Sequence, residues 1–371
     1  MYQNIKKKDK EIYNLIRKKH FERVIEKHKK DDDLIEHKYN FEKVWANNCS
    51  SYEESQPFIL PPVKRIIVIG DLHGDLDVTL RTLKIAKLID NNNNWIGGDT
   101  VVVQVGDQID RCRNIPCDNP YATQNDENSD VIILELFTKL HLQAKIQGGA
   151  VYSLLGNHEL MNVEKDLSYV SYKGLQEFNN TNINNEIITD GKKARSILFS
   201  PGNKYANFLA CTRQVILIIG NNIFVHGGII PYLVKKYSIK SINKIMTLFL
   251  LKIINKDDKI YKEIFDSGNH SPLWNRFQSM MVINKDNKLC DNMLSPLKFL
   301  YKVDNIYVGH TPNLNNGITS ICNSNKKIWL TDYGASKSFD PFRQNLTHKK
   351  LQVLEILNEN NENIYNILYE S

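Results

Sequence analysis

Three short apolar runs, each followed by a glycine and a polar residue, constrain the fold of this chain most. The runs occupy residues 65–69, 100–105 and 150–155. Residues 76–89 and 131–146, which separate the runs, have the apolar spacing of helices. Strands that alternate with helices in this order are typical of an α/β sheet with parallel strands. We therefore predict an α/β fold for this part of the chain.

The later part of the sequence has a different pattern. Residues 215–219 and 223–225 flank a Gly-Asn-Asn turn and predict a hairpin. Residues 232–268 are mostly helical in pattern, and further strands are predicted at 305–308 and 327–330. After Leu351 we expect an edge strand and loops.

The predicted strands end at corners that combine glycine with residues that bind metals. In open α/β sheets, ligands gather at the carboxyl ends of the strands. Two residues that are two apart at a strand end point their side chains the same way. The corners are Gly70-Asp71-Leu72-His73, Gly106-Asp107, Gly156-Asn157, His226-Gly227-Gly228 and Gly309-His310.

The donor types in these corners favour a transition-metal site. A mixture of oxygen and nitrogen donors suits Mn, Fe or Zn better than Ca or Mg. A pair of such ions polarises phosphoryl oxygens and generates hydroxide at neutral pH, which is the chemistry of phosphate-ester hydrolysis.

The corners, in this order, resemble the calcineurin-like metallophosphoesterase superfamily and, within it, the phosphoprotein phosphatases. The finer likeness is to the Shewanella-like, bacterial-type protein phosphatases, and the resemblance covers residues 63–335. It rests on Asn157-His158-Glu159-Leu160-Met161-Asn162, Phe224-Val225-His226-Gly227-Gly228, Pro272-Leu273-Trp274-Asn275-Arg276 and Val308-Gly309-His310-Thr311-Pro312.

The resemblance implies an architecture and a division of the chain. The fold would be a two-sheet β-sandwich flanked by helices, with a helical insertion at about 232–300. The metallophosphoesterase domain would occupy residues 63–345. A charged helical extension, residues 1–57, would precede it, and a tail, residues 346–371, would follow.

The resemblance also implies a set of metal ligands and two metal ions, with Mn as the first choice and Fe or Zn as the others. The first ion would be held by Asp71, His73 and Asp107, and the second by Asp107, Asn157, His226 and His310.

The same resemblance assigns the catalytic roles. A metal-bridging hydroxide would attack phosphorus in line, His158 would protonate the leaving oxygen, and Asp110 would orient His158. Arg111 would grip the phosphate. We expect Arg276 to make a second phosphate contact, because a guanidinium binds phosphate with two parallel hydrogen bonds.

These roles predict a phosphomonoesterase that acts on phosphoserine, phosphothreonine or phosphotyrosine in a phosphorylated protein or peptide. Two alternatives stay open at this point. The same site type hydrolyses dinucleoside polyphosphates or other nucleotides, and a chain without activity could serve as a phosphate-binding scaffold. The scaffold is disfavoured because every expected ligand is present, together with His158 and Asp110.

One position departs from the family pattern. Cys112 stands where a glycine normally follows Arg111, and a second cysteine, Cys117, comes five residues later. A redox pair beside the site is one interpretation. Six cysteines are an ordinary number for a chain of this length, so we expect free thiols in a reducing compartment.

We expect several other polar residues near these motifs not to bind metal. Glu159 is expected to support a neighbouring group rather than to bind metal, and Asp75 and Asp332 to support the site or to cap a helix. Arg195 and Arg213 could reach phosphate, but exposure at the surface is the default expectation for arginine.

Charge and hydropathy exclude several classes of function. The net charge of +6 is too weak, and too dispersed, to indicate nucleic-acid binding. No uncharged apolar stretch of about 18 residues predicts a membrane span. The charged N-terminus is not followed by the apolar core of a secretory signal, so an intracellular, cytoplasmic location is expected.

Overall fold

The computed structural model describes residues 2–52, 57–114, 116–266, 268, 270–323, 326–344, 350–359 and 362–370, with side chains from residue 15 onward. Its α-helices are α1 (Tyr2–Tyr39), α2 (Phe41–Cys49), α3 (Leu76–Ile85), α4 (Asp130–Ile146), α5 (Asn157–Val163), α6 (Tyr172–Gln176), α7 (Gly191–Phe199), α8 (Lys204–Thr212), α9 (Pro231–Lys236), α10 (Ile239–Leu250), α11 (Lys259–Phe265), α12 (Phe277–Ile283) and α13 (Cys290–Tyr301).

The strands of the described residues fall into two large sheets and one small hairpin. They are β1 (Ile59–Leu60), β2 (Arg65–Ile69), β3 (Val101–Gln104), β4 (Ala150–Leu154), β5 (Thr181–Ile183), β6 (Glu186–Ile188), β7 (Arg213–Gln214), β8 (Ile216–Ile219), β9 (Asn222–Val225), β10 (Asn305–Val308), β11 (Thr319–Ile321), β12 (Lys327–Leu330), β13 (Gln352–Glu359) and β14 (Glu362–Tyr369).

The first sheet contains the predicted strand and helix alternation. Its order is β14-β13-β2-β3-β4-β7, and β2, β3, β4 and β7 run parallel. Helices α3 and α4 connect the parallel strands and pack on the outer face through Leu83, Ile133 and Phe137. Helix α3 ends before the predicted residue 89, because Lys87 has a φ of 56° and turns the chain away.

The second sheet has the order β1-β8-β9-β10-β12-β11. Strands β8 and β9 form the predicted antiparallel hairpin, whereas β9, β10 and β12 run parallel. Helices from the 232–301 stretch cover its outer face, where Ile242, Ile245 and Leu294 are buried. The predicted α/β class and two-sheet architecture are confirmed.

A buried apolar layer between the two sheets packs side chains of both sheets together. Ile66 and Val103 of the first sheet pack in one cluster with Leu217, Phe224 and Tyr307 of the second. The Phe224 and Tyr307 rings stack with centroids 4.7 Å apart. Burying each large apolar side chain contributes about 1.5–3 kcal/mol, so this layer fixes the separation of the sheets.

The charged N-terminal helices pack on the outside of the second sheet's helical layer. Helix α1 contacts α9, α10 and α13, and α2 contacts α8. Phe21, Ile35 and Phe41 are buried there. The proposed division of the chain at residues 57, 63 and 345 remains a prediction.

The expectation for the C-terminal tail is wrong in part, because the chain forms two strands rather than an edge strand and loops. Strand β13 pairs antiparallel with β2 and is interior, and β14 pairs with β13 at the edge. Polar residues interrupt the apolar pattern of β14, and their partners are distant in sequence. Asn363, for example, donates to the Asn222 side chain (2.9 Å).

Among the described residues, every helix falls short of the length or the apolar character that a bilayer crossing requires.

Candidate metal centre

Six buried side chains converge where strands of both sheets end. They follow β2, β3 and β4 of the first sheet and β9 and β10 of the second, and they are the six predicted metal ligands. At most 5% of any of them is exposed. They are Asp71, His73, Asp107, Asn157, His226 and His310.

Asp107 lies at the centre of this group. Its Oδ2 is 3.3 Å from His226 Nε2 and 3.8 Å from His73 Nε2. Its Oδ1 accepts the backbone N–H of His158 at 3.0 Å. One carboxylate oxygen therefore faces imidazoles on both sides, as a ligand shared by two ions would need to do.

The first half of the site is built by the turn after β2. The backbone N–H groups of Leu72 and His73 both donate to Asp107 O at 3.0 Å, which joins the turns after β2 and β3. His73 Nδ1 donates to Ile109 O at 3.3 Å, so the Nε2 lone pair is directed at Asp71 Oδ2, 3.9 Å away.

The second half uses two histidines from the other sheet. His226 Nδ1 donates to Val105 O (2.9 Å), which leaves its Nε2 facing Asn157 Oδ1 at 3.0 Å. His310 Nε2 donates a hydrogen bond to Trp274 O (3.2 Å), which leaves the lone pair of its Nδ1 available to bind a metal ion. The two rings lie with centroids 5.0 Å apart.

These donors fit a pair of transition-metal ions. Ligand atoms of Asp107, His226 and His310 lie within 4.8 Å of one another, as do those of His73, Asp107 and His158. Imidazole lone pairs that face carboxylate oxygens repel each other unless a cation lies between them. Within the described residues, Asp71 Oδ1 is buried without a hydrogen-bond partner, which leaves it available for coordination.

Burial and mutual repulsion perturb the pKa values of these groups. Burial, Asp332 and Asp107 raise the pKa of Asp71 well above its usual value. Burial lowers the pKa of His73 and His310 well below the ordinary value. Burial, together with the charge of Asp107, raises the pKa of Asp332 to about 6. Perturbations of this size are typical of functional sites.

His158 and Asp110 form a hydrogen-bonded pair beside the ligands. His158 Nδ1 lies 2.9 Å from Asp110 Oδ2, and His158 Nε2 is 3.9 Å from Asp107 Oδ2. Asn162 donates to both carboxylate oxygens of Asp110, at 2.9 and 3.0 Å. The Nε2 atom of His158 is thus held facing the space beside the ligand cluster.

A family model of calcineurin-like phosphoesterases matches residues 64–314 of this chain. The chain belongs to this family. Like its other members, it is a metal-dependent phosphoester hydrolase, and the predicted family, fold and enzyme class are confirmed.

Relatives of the calcineurin-like chain include viral and eukaryotic proteins. It is 35% identical to an uncharacterised protein of Acanthamoeba polyphaga mimivirus over 242 residues, which covers 60% of this chain and 94% of that protein. It is 29% identical to Shewanella-like protein phosphatase 2 of Arabidopsis thaliana over 305 residues, which covers 74% of this chain and 72% of that one.

Solved structures show the same fold. A cold-active protein-tyrosine phosphatase of a psychrophilic Shewanella species superposes with a TM-score of 0.58 at 20% identity, and covers 86% of this chain and 84% of its own. Another structure of a cold-active protein tyrosine phosphatase superposes with a TM-score of 0.62 at 22% identity, and covers 86% and 82%.

Two acidic residues beside the site, Glu159 and Asp75, accept hydrogen bonds from backbone N–H groups. Glu159 accepts the backbone N–H groups of Asp107, Gln108 and Gly156, and thereby fixes the turn that carries Asp107. Asp75 caps α3 by accepting the N–H of Val78 at 3.2 Å. Both predictions of a supporting or capping role are confirmed.

Two arginines expected at the surface are buried, so that expectation is wrong. Arg195 is fully buried, where it pairs with Asp130 (2.8 Å) and Asp110 (3.4 Å). Arg213 is buried too and donates to Gln108 Oε1 at 3.0 Å. Both satisfy carboxylate or carbonyl oxygens in the interior, and their partners are too distant in sequence for a pattern to reveal.

The two arginines predicted to bind phosphate lie in different settings. Arg276 is exposed and donates to His310 O (2.7 Å) and Thr311 Oγ1 (2.9 Å), next to a metal ligand. Arg111 is 1% exposed; it forms ion pairs with Asp75 and Glu127 and donates to Gly74 O. Their roles towards phosphate remain predictions.

The expectation of free thiols is wrong, because all six cysteines form disulfides. The pairs are Cys49–Cys211, Cys112–Cys117 and Cys290–Cys322. Two of them join residues 162 and 32 positions apart, so the sequence gives no sign of their proximity. Disulfides are typical of oxidising compartments, which removes the basis for inferring a reducing one from cysteine content.

Sequence reasoning missed one charged residue at the site, Arg113. Its guanidinium lies over the ring of Phe339, 4.6 Å from the centroid, and near that of Tyr169 at 5.8 Å. The available signal was its position, two residues after Arg111 in the loop that departs from the family pattern.

Proposed function

We propose that this protein is a phosphatase that hydrolyses phosphate monoesters in proteins or peptides with two transition-metal ions, Mn in the first place and Fe or Zn otherwise. The observation that carries the proposal is the His158–Asp110 pair, held at 2.9 Å beside a cluster of ligands that share Asp107. The protein phosphatases among its relatives support a phosphoserine, phosphothreonine or phosphotyrosine substrate.

The residues divide into two groups of metal ligands. Asp71, His73 and Asp107 would hold one ion, and Asp107, Asn157, His226 and His310 the other. A pair of such ions, when bound, polarises the phosphoryl oxygens and makes water acidic enough to supply a nucleophile at neutral pH.

The His158–Asp110 pair would supply the proton that the leaving group needs. The Asp110 carboxylate accepts from His158 Nδ1, so the proton that can be donated is on Nε2. Asp110 also stabilises the positive charge of the imidazolium before the transfer. Asn162 and Arg195 hold Asp110 in place and are themselves buried, so the pair keeps its orientation.

Arg276 would orient the substrate. Its NH1 group donates to the carbonyl of His310, and the guanidinium retains further N–H groups that can bind phosphoryl oxygens. The positive charge would also stabilise the negative charge that develops on those oxygens.

Hydrolysis of p-nitrophenyl phosphate by purified protein, with and without Mn²⁺, tests the proposal. We expect metal-dependent turnover that collapses in His158→Ala and in Asp107→Asn. The exposed His37 serves as a control, and His37→Ala should match the unsubstituted protein.

A panel of phosphopeptides and a dinucleoside polyphosphate then tests the substrate class. Turnover of phosphopeptides supports a protein phosphatase, whereas turnover of the dinucleoside polyphosphate alone would replace this proposal with a nucleotide hydrolase. Folded protein that shows no turnover with Mn, Fe or Zn would contradict the enzymatic proposal and favour a phosphate-binding scaffold.

A further inference from the structure

Helix α12 presents three large apolar side chains to solvent. Phe277 is 41% exposed, Met280 43% and Ile283 36%. At about 100° per residue these positions fall within one arc of about 120°, whereas the buried Met281 and Val282 lie on the other side and join the core. Three apolar side chains on one exposed face differ from the singly scattered ones of an ordinary surface. Phe277, Met280 and Ile283 are called the α12 stripe below.

The α12 stripe begins next to the candidate metal centre. Arg276, which directly precedes it, donates to His310 O at 2.7 Å and to Thr311 Oγ1 at 2.9 Å. Ser279 Oγ shares a hydrogen bond of 2.8 Å with the same Thr311 hydroxyl. The first turn of α12 is thus joined to a predicted metal ligand and its neighbour. Because a helix rises 1.5 Å per residue, the stripe extends about 9 Å from Phe277.

Buried hydrogen bonds hold α12 in this orientation. The fully buried Gln278 donates to Ile229 O at 2.5 Å, three residues after the predicted ligand His226. The Asn275 side chain accepts the N–H of Phe277 at 2.6 Å and fixes the start of the helix. The stripe is therefore anchored to both histidine-bearing segments of the second sheet. A surface on such a rigid element loses little conformational entropy when it binds a partner.

The segment of a substrate protein around its phosphorylated residue is the occupant that this position favours. The phosphoryl group has to reach the ligand cluster, so the neighbouring substrate residues have to lie against the surface around that cluster. Arg276 is proposed to bind the phosphoryl group, which brings those neighbours to Phe277. An extended chain advances about 3.3 Å per residue, so the stripe matches about three substrate residues. Apolar side chains at those positions would remove the exposed parts of the stripe from water.

We propose that the α12 stripe binds apolar residues that lie within about three positions of the phosphorylated residue, on one side of it, in a protein substrate. The inference rests on the proposed phosphatase function and names the kind of sequence that the site selects. Small phosphate esters and nucleotides have no chain that can reach the stripe, so its contribution is confined to peptides and proteins.

Steady-state kinetics on matched phosphopeptides test the stripe. The peptides have phosphoserine or phosphotyrosine at the centre and carry leucines on its amino side, on its carboxyl side or on neither side, with serine elsewhere. We expect kcat/KM to be about tenfold higher for one of the two leucine peptides than for the serine peptide, the effect of burying two half-exposed side chains. In the double variant Met280→Ser, Ile283→Ser this ratio should fall to about one.

A second double variant is the matched control. Leu142 and Ile146 are exposed on the last turns of α4, which leads into the amino end of β4, at the opposite edge of the sheet from the metal ligands. Leu142→Ser with Ile146→Ser removes the same kind of surface and should leave the leucine preference unchanged. The preference is a ratio within each protein, so a smaller fraction of active molecules does not alter it.

The outcomes separate this inference from the proposed function. Equal kcat/KM for all peptides, or a preference that survives Met280→Ser with Ile283→Ser, overturns the assignment of the stripe. Self-association that this variant abolishes, seen by analytical ultracentrifugation, would identify a second copy as the occupant and overturn it too. If no phosphate ester is hydrolysed, anisotropy of the same peptides, labelled with fluorescein, decides. A leucine preference in Kd that depends on Met280 and Ile283 supports the stripe while the phosphatase proposal fails, and equal Kd values overturn both.

Discussion

At the scale of single residues, the hydrogen bonds around His158 distinguish the proposed proton donor from the proposed metal ligands. His158 Nδ1 is committed to Asp110, whereas His73 and His226 direct Nε2 towards Asp107 and donate from Nδ1 to carbonyl oxygens. Histidine side chains would thus serve two purposes in this site, and the hydrogen-bond partner of Nδ1 differs between the two. A carboxylate partner suits a residue that must carry positive charge, and a carbonyl partner suits a neutral ligand.

This distinction predicts how the loss of His158 depends on the leaving group. His158→Gln removes the proton donor, so kcat for an alkyl phosphate such as phosphoserine should fall by about 10²–10⁴. The fall should be smaller for p-nitrophenyl phosphate, because nitrophenolate leaves without a proton. Steady-state kinetics on both substrates checks this, and an equal fall on both would contradict a role in protonation.

Arg195 is a second prediction at this scale. It lies between Asp110 and Asp130, and burial raises the pKa of Asp130 while Arg195 lowers it. Arg195→Met should lower the free energy of unfolding by about 3–5 kcal/mol, because it leaves buried carboxylates without a counter-charge. Urea unfolding measures the change.

A double variant controls for lost packing at that position. Asp130→Asn removes one of the two carboxylates, so Arg195→Met should cost less in its presence than alone. Additive effects of the two substitutions would show that Arg195 acts through packing rather than through charge.

At the scale of elements, the site depends on sharp turns that bring strand ends close together. His73, Asp107 and His310 all have positive φ, at 47°, 53° and 66°. Such a backbone conformation is uncommon outside glycine and occurs where surrounding contacts impose it. Glu159, which accepts three backbone N–H groups, is one of those contacts.

Glycine next to these turns gives the third prediction. A Cβ atom on Gly309 would lie 2.3 Å from Asp71 Oδ1, the buried oxygen available for coordination. Gly309→Ala should therefore displace Asp71 and lower the Mn²⁺ content per chain. Gly268, where an added Cβ would lie 4.0 Å from Asp266 O, an ordinary contact, is the control, and elemental analysis after dialysis compares the two alanine variants. Full metal content in Gly309→Ala would contradict a ligand role for that oxygen.

The end of α6 gives the fourth prediction. Glu177 caps this helix, and burial next to Asp130 raises its pKa from 4.5 to about 7. The native state therefore holds this proton more tightly than the unfolded chain, and its stabilising effect is lost as the pH rises from about 4.5 to 7. The loss amounts to at most about 3 kcal/mol.

Glu177→Gln removes that titration and should stabilise the protein at pH 8 but not at pH 4.5. Chemical unfolding at the two pH values provides the comparison. A stability difference between variant and parent that stays constant with pH would contradict the assignment.

The strands and their corners could be predicted because they depend on local sequence. The apolar runs, the helices between them and the glycines at their ends can all be predicted from neighbouring residues. The position of β13 beside β2 could not, because it joins residues almost 300 positions apart through backbone hydrogen bonds that any sequence can make. Arg113 was missed for a related reason, since its aromatic neighbours come from two distant loops.

At the scale of the whole molecule, the candidate metal centre lies between the two sheets. Asp71, His73, Asp107 and Asn157 follow strands of the first sheet, and His226 and His310 follow strands of the second. The core that separates the sheets therefore sets the spacing of the ligands. The local sequence pattern predicted the strand-end corners. That corners from two different sheets form one site was predicted only from the family resemblance.

The three disulfides give the last prediction, because they differ mainly in the length of chain that they close. Cross-links restrict the unfolded chain more as the loop grows, and sequence separations of 162, 32 and 5 residues correspond to about 5, 4 and 2 kcal/mol. In oxidised protein, Cys211→Ala should therefore destabilise more than Cys322→Ala, and Cys117→Ala least. Guanidinium unfolding gives the order, and reduction by dithiothreitol should remove most of the differences. Equal destabilisation by all three variants would indicate that local packing around each cysteine, rather than chain connectivity, determines their contribution.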